Sequence, residues 1–385
     1  MSRILIVGGG FAGFWAAMAA KRVAGDKAEV SLVSRTPVLE IRPRLYEANP
    51  ETLGIDLRAP LAAASIRFVE GEATGLDLAA HKVKLASGDL PYDRLVVAAG
   101  SAMRRPPVPG ADQAFSIDTQ AEAIRLDRRL ALGVASVAVV GAGFTGIELA
   151  LELRDRIAAH GGDGERLRIV LIDRASAVGT ELGVGPRPTI EAALAAARVE
   201  LRLGATIASL GPDRVGFAND DTLAVDAVVL TTGMAASGFV RHVPGERDRL
   251  SRLKVERSLR APQAPDVFVT GDAAAADTGS GNLALQSCQH ALQLGRFAGE
   301  NAARDLLGQP LIDYAQPRYV TCLDLGRAGA VFTEGWTRAV QKSGEEAKAI
   351  KRRINTQVIY PPPGASGALL LAMSSTEPAK QARPS

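Results

Sequence analysis

Two groups of glycines, a few lone carboxylates and one pair of amides are the residues of this chain whose type and spacing can do chemistry. Gly8, Gly10 and Gly13 stand in the order G-x-G-x-x-G, with Phe11 and Ala12 in the wider gap. Gly141, Gly143 and Gly146 repeat that order, with Phe144 and Thr145 in the same gap. In such a run the first glycine permits a tight turn and the second lets the backbone approach a pyrophosphate. The third lets the following helix pack closely, so that its N-terminus faces the phosphates. Asp173 closes the apolar run 167–172. A carboxylate there accepts hydrogen bonds from a ribose 2′-hydroxyl and repels a 2′-phosphate, which favours NADH over NADPH. Arg174, the residue type that a 2′-phosphate recruits, follows it directly. At the matching place of the first copy, Ser34 and Arg35 end the run 30–33 with no carboxylate, leaving the Ser34 hydroxyl for a ribose. Gly271-Asp272 follows a third apolar run, where Asp272 can reach the ribityl hydroxyls and the pyrophosphate side of a flavin dinucleotide.

These loops need a strand before them and a helix after them. Residues 4–7 and 137–140 are apolar runs that read as buried parallel strands, and the alanine-rich patterns at 14–21 and 147–157 read as helices. The two copies lie 133 residues apart, and the same offset relates Tyr92-Asp93 to Val225-Asp226 and Gly100 to Gly233. Gly100 and Gly233 each end an apolar strand, at 95–99 and 228–232. Three landmarks at one offset describe a duplicated domain, not a stacked array of short repeats. A chain that holds two dinucleotides at once can pass electrons between them.

The ordered set formed by residues 8–13, 98–100, 141–148, 232–233 and 270–272 resembles the two-dinucleotide-binding flavoproteins. That resemblance implies an α/β fold with two Rossmann-like domains. It places FAD on the first copy with the Gly-Asp segment, and NAD(P)H on the second. Within that group the chain is most similar to the type II NADH dehydrogenases, which pass electrons from NADH to a quinone. Three stretches carry this: Ile41-Arg42-Pro43-Arg44-Leu45-Tyr46-Glu47, the second glycine loop with Glu148, and Cys288-Gln289-His290-Ala291-Leu292-Gln293-Leu294-Gly295. Cys288 stands where those enzymes have alanine. Gln289 and Gln293 are spaced i, i+4 and share a helix face, where neutral amides suit a quinone's carbonyl oxygens. Glu148 is read either as orienting the nicotinamide carboxamide or as favouring the helix N-terminus electrostatically. Arg42 and Arg44 are read as partners for FAD phosphates or the adenine.

Hydride transfer from a nicotinamide to a flavin needs no acid, base or nucleophile from the protein, since the cofactors carry the chemistry. The lack of a Ser-His-Asp set or a metal-ligand cluster fits this. Residues 1–287 contain no cysteine, so a dithiol relay beside the first loop is not expected, and Cys288 reads first as a small buried residue on its helix. Two alternatives to the quinone remain open: a reductase that feeds a protein carrier such as ferredoxin, and an NADH-binding sensor or assembly factor.

The 385 residues suffice for two or three domains. The expected organisation is a discontinuous FAD domain (1–115 and 246–310), an NAD(P)H domain (116–245) and a small α+β region (311–385). Small meanders are expected at 66–69 with 82–85 and at 200–215. A hairpin is expected at 319–325 and 328–332, then a helix over 335–354 and a disordered tail from Ser374. The net charge of +3 gives no pull toward nucleic acid. No apolar run has the length of a membrane span. Residues 334–385 hold eight Lys or Arg against four Asp or Glu. The apolar stripe Trp336, Val340, Ala347, Ile350 and Ile354 suits self-packing best, with weak peripheral membrane contact as the alternative. No signal peptide is read before the first strand, and two cysteines fit a reducing compartment, so a cytoplasmic location is expected, with peripheral contact on the inner face of the membrane. A homodimer is compatible with these features.

Overall fold

The computed structural model describes residues 1–377. The first sheet has six strands in the order Arg260–Ala261, Ala264–Val269, Arg94–Val97, Ser2–Val7, Ala28–Ser34, Arg67–Glu70. All neighbours from Ala264–Val269 onward are parallel. Such strands are covered on both faces, which is why Ile4-Leu5-Ile6-Val7 is an unbroken apolar run and fully buried. The second sheet repeats the plan with five parallel strands: Phe115–Ser116, Ala227–Leu230, Ser136–Val140, Arg168–Ile172, Val199–Arg202. The strand after 250 residues that returns to the first sheet is Ala264–Val269, which pairs with Arg94–Val97.

Each glycine loop leads into its helix at the residue after the second glycine, giving Phe11–Ala24 and Phe144–Ala159. The helices are longer than the alanine pattern suggests because the third glycine is already inside the first turn. Phe11–Ala24 packs against the long helix Cys288–Leu306. The contact is very close. A Cβ on Gly295 would lie 2.9 Å from Ala12 Cα, and one on Gly299 would lie 2.7 Å from Ala16 Cα. Small residues on both helices are the reason the backbones can meet.

Several expectations are corrected. Residues 66–69 do not leave the main sheet: Arg67–Glu70 is its outer parallel strand, and the meander is Ala73–Asp77, Lys82–Leu85, Leu90–Pro91. Likewise Val199–Arg202 belongs to the second parallel sheet, and the meander there is Ile207–Leu210, Arg214–Phe217, Thr222–Ala224. In both units a short parallel strand is followed within a few residues by the first meander strand. The hairpin forms as Val320–Asp324 with Ala330–Glu334. Its continuation is not one helix. Gly335 and Arg338, both at positive φ, turn the chain into a third strand, Ala339–Ser343, before the helix Gly344–Arg353. The expected stripe therefore breaks: Ala347, Ile350 and Ile354 pack with Cys322 and Phe332 under this sheet, while Val340 lies on its exposed edge strand. Ser374 and Ser375, placed by the sequence in a disordered tail, are buried after the helix Gly367–Met373. The rest of the expected tail, 378–385, lies outside the described residues. Among the described residues no helix is long and apolar enough to cross a membrane.

Candidate site for two dinucleotides

At the first loop, Gly8 has φ +116°, and a Cβ there would run into the Ala98 carbonyl; a Cβ on Gly13 would run into the carbonyl of Gly8. Gly8 N–H donates to Val33 O at 2.8 Å, which docks the loop on the neighbouring strand. Gly10 is the helix N-cap, offers no side-chain cap and has nothing within 4 Å of where a Cβ would stand. The first-turn N–H groups beside Phe11 and Ala12 thus face an open space, the arrangement a pyrophosphate needs. Ser34 Oγ lies against the loop, 2.7 Å from a would-be Gly9 Cβ, with Arg35 exposed beside it.

Gly271 reaches this loop from the other side, its would-be Cβ 2.7 Å from Ala12 Cβ. Asp272 follows, and its carboxylate accepts from Ser101 Oγ at 2.6 Å. Burial pushes its carboxyl up, while Ser101 and Arg42 pull it down. Arg42 sits in this cluster: it pairs with the Asp118 carboxylate and donates to Ser101 O at 3.2 Å. Arg42 is thus already bound to protein oxygens. Arg44 is further from the expectation, since it pairs with Glu47 at 2.6 Å and donates to Tyr360 Oη at 2.9 Å. Tyr46 Oη donates to Asp324 at 3.1 Å, so that loop turns toward the third region.

The second loop repeats the first. Gly141 has φ +113° and donates to Ile172 O at 2.8 Å, and a Cβ on Gly146 would lie 2.7 Å from Thr231 Oγ1. Gly143 is the N-cap of Phe144–Ala159, and Thr145 is exposed in its first turn. Asp173 accepts from Ala142 N–H at 2.7 Å and from Ala175 N–H at 2.8 Å. These bonds aim the half-buried carboxylate along the loop and leave acceptor capacity on both oxygens. Arg174 points to solvent. A residue that the sequence reading missed is Glu181, which accepts from Phe144 N–H at 2.8 Å. It lies eight residues past Asp173 in no recognisable motif, so nothing in the sequence marks it.

The two sites are joined where the repeats end. Immediately after Gly100 and Gly233, Ser101–Met103 pairs antiparallel with Met234–Ala236. This ribbon ties the end of one sheet to the end of the other beside Asp272.

Glu148 is one turn inside its helix and 4% exposed, so it is not an N-terminal charge. Its carboxylate accepts from Lys351 Nζ at 2.7 Å and from Asp324 N–H at 2.9 Å. Burial pushes the carboxyl up to about 7, with Lys351 opposing. Lys351 Nζ also lies 5.6 Å from the centre of the Phe144 ring, so the pair borders the second loop. Glu152, on the same helix face, is pushed up by burial to about 8.

On the long helix, Gln289 and Gln293 are both half-buried. Gln289 Oε1 accepts from Val320 N–H at 3.4 Å, so its amide oxygen is held by the third region. His290 is fully buried, shares a hydrogen bond of 3.0 Å with Ser287 and stacks on Tyr319 at 5.2 Å. Burial pushes it down to about 4, which keeps it neutral. Burial pushes the Cys288 and Cys322 thiols each up to about 11. Among the described residues both cysteines are free and no metal-ligand cluster occurs.

Comparison with known proteins agrees with this frame. The model of the pyridine nucleotide-disulphide oxidoreductase family matches residues 2–295. The chain is 42% identical over its whole length to the whole of an NADH dehydrogenase-like protein of Mycobacterium tuberculosis. It is 29% identical to a demethylphylloquinone reductase of Synechocystis, covering 86% of each chain. It also superposes on the sulfide:quinone oxidoreductase of Aquifex aeolicus with a TM-score of 0.74 at 18% identity, covering 92% of this chain and 90% of that one. That last likeness is one of fold alone. The chain belongs to the pyridine nucleotide-disulphide oxidoreductase family and is an FAD-dependent NAD(P)H oxidoreductase.

Proposed function

We propose that this protein is an NADH:quinone oxidoreductase. The observation that carries the reading is the pairing of Ser101–Met103 with Met234–Ala236, which holds two like dinucleotide cradles against each other. In this reading 1–115 with 246–310 holds FAD and 116–245 holds NADH. Gly8, Gly10, Phe11, Ala12 and Gly13 receive the FAD pyrophosphate through the open helix N-terminus. Ser34 and Arg35 face the adenosine end, Gly100, Gly271 and Asp272 the ribityl end, and Arg42 sets the charge around Asp272. Gly141, Gly143, Phe144, Thr145 and Gly146 receive the NADH pyrophosphate, Asp173 its adenosine ribose, and Gly233 lines the approach to the nicotinamide. Bound FAD supplies hydride acceptance and release of electrons to an acceptor. The chain's residues bind and orient both partners and exclude water. The buried Glu148–Lys351 pair borders the nicotinamide side and is able to hold a proton there.

The acceptor meets the flavin edge beside the helix that carries Gln289 and Gln293. Quinone is favoured over ferredoxin because the relatives named by acceptor include type II NADH:quinone oxidoreductases of staphylococci as well as the Synechocystis enzyme. The test separates the half-reactions by anaerobic stopped flow. NADH bleaches the flavin, and menadione restores its absorbance. Gln289→Ala slows the second step far more than the first. A reduced flavin that menadione leaves untouched, and that ferredoxin or another carrier reoxidises, overturns the quinone assignment.

A further inference from the structure

The two helix N-termini differ in one respect that bears on nucleotide exchange. Neither Gly10 nor Gly143 caps its helix with a side chain, so the first-turn N–H groups of both helices seek an acceptor. Beside Gly10 there is open space. Beside Gly143 stands a carboxylate: Glu181 Oε1 accepts from Phe144 N–H at 2.8 Å and lies 2.5 Å from where a Gly143 Cβ would be. It therefore rests on the backbone that a pyrophosphate must approach. We propose that Glu181 is a built-in competitor for the pyrophosphate of the incoming nucleotide and that it sets the affinity of this site. This rests on the reading of the second loop as the NADH site.

The local structure suits a side chain that comes and goes. Glu181 lies in the single turn Thr180–Leu182, framed by Gly179 at φ +56° and Gly183 at φ +76°. The turn is anchored at both ends of Glu181: Gly179 N–H donates to Ala142 O at 2.8 Å, and Leu182 is 2% exposed. Glu181 itself is exposed. Rotation about its side-chain bonds thus clears the loop without moving the backbone. A carboxylate and a pyrophosphate cannot share the same N–H groups, since both are anionic and both take the favourable end of the helix dipole. Binding needs the cleared state, and apparent affinity falls by the fraction of time that state is populated. A carboxylate on an exposed helix N-terminus is favoured roughly twofold to fivefold over water. The cleared fraction is then about one third to one sixth. The difference between the loops fits their tasks: a resident cofactor gains from an open cradle, whereas a substrate that must leave as NAD⁺ each cycle gains from a group that retakes the site.

The experiment titrates ADP-ribose, which carries the pyrophosphate and no nicotinamide, into the FAD-loaded wild type, E181Q and E181A by calorimetry. Both variants bind it about threefold to sixfold more tightly, and KM for NADH falls by a similar factor. A normal flavin spectrum and melting temperature show that the variants are folded. Unchanged or weaker ADP-ribose binding in both variants overturns the proposal, and weaker binding identifies Glu181 as a ligand of the nucleotide instead. Failure of the wild type to bind either ADP-ribose or NADH removes the donor-site reading itself and the proposal with it.

Discussion

Replacing Glu148 with glutamine isolates what a buried charge does at the joint between the second unit and the third region. The carboxylate is 4% exposed and accepts from Lys351 Nζ at 2.7 Å and from Asp324 N–H at 2.9 Å. Burial raises it from 4.5 to about 7 despite Lys351. Because the folded value lies above the unfolded one, the stabilisation from this group is fully present below about pH 4.5. It is lost as pH rises through about 7. Each pH unit across that gap corresponds to about 1.4 kcal/mol, so the loss sums to about 3 kcal/mol. Glutamine keeps the shape and an acceptor oxygen but does not titrate. The stability of Glu148→Gln relative to wild type therefore climbs, on the order of a few kcal/mol, as pH rises from about 4.5 through 7. Near pH 5 the two proteins are close. The assay is urea unfolding of the FAD-loaded protein at several pH values, followed by flavin fluorescence. A difference that stays flat, or a variant that weakens relative to wild type as pH rises, refutes the reasoning. It would show that attraction to Lys351 outweighs the cost of burial.

Other perturbations have equally definite outcomes. Asp173→Ala removes the acceptor of the Ala142 and Ala175 N–H groups along with the proposed ribose ligand. NADH binding weakens by about 1–3 kcal/mol, and preference over NADPH relaxes, both read from KM for the two nucleotides. Gly299→Ala forces a Cβ to 2.7 Å from Ala16 Cα between two backbones that cannot part cheaply. It destabilises the protein by about 1–3 kcal/mol in denaturant titration and lowers the FAD content on purification. Cys288→Ser and Cys322→Ser both retain NADH oxidation with menadione, because thiols pushed up to about 11 stay protonated at neutral pH. Loss of quinone reduction in Cys288→Ser, with the flavin still reduced by NADH, would make that thiol a redox relay.

What the sequence revealed was local. A strand, a G-x-G-x-x-G turn and a helix are specified by neighbours within about twenty residues, and the repeat at one offset supplied the second copy at once. Asp173 and Asp272 stand out in the sequence for the same reason, as carboxylates at strand ends, and the structure places each beside a glycine loop. The sequence does not record partners far away in the chain. Glu148 reads as orienting the nicotinamide or as a helix N-terminal acid, and its ion pair with Lys351, 203 residues later, has no local signal. Arg42 looked free for a phosphate, yet its partner Asp118 is 76 residues on. The outer strand Arg67–Glu70 is only four residues long, and so is the meander strand Lys82–Leu85; segments this short do not record which neighbour they pair with.

The third region is where those distant partners converge, and it bears directly on how two nucleotide sites keep their relation. Units joined by linkers move relative to one another unless an interface resists it, and transfer between two bound rings tolerates little misplacement. Here the linker ribbon supplies only three residue pairs. The strand Val320–Asp324 adds contacts to every part: its Asp324 receives Tyr46 from the first unit, its backbone donates to Glu148 of the second, and its first N–H meets Gln289 on the long helix. Lys351 closes the arrangement from the helix behind, over both the Tyr46 and the Phe144 rings. One buried polar cluster thus joins the loop after the first unit's second strand to the second glycine-loop helix, and the other end of Val320–Asp324 meets the helix assigned to the acceptor. Sliding one unit against another breaks that cluster and leaves buried hydrogen-bonding groups unpaired, at about 1–3 kcal/mol each. The polar groups are placed so that relative motion is costly where the two electron-transfer partners must stay in register.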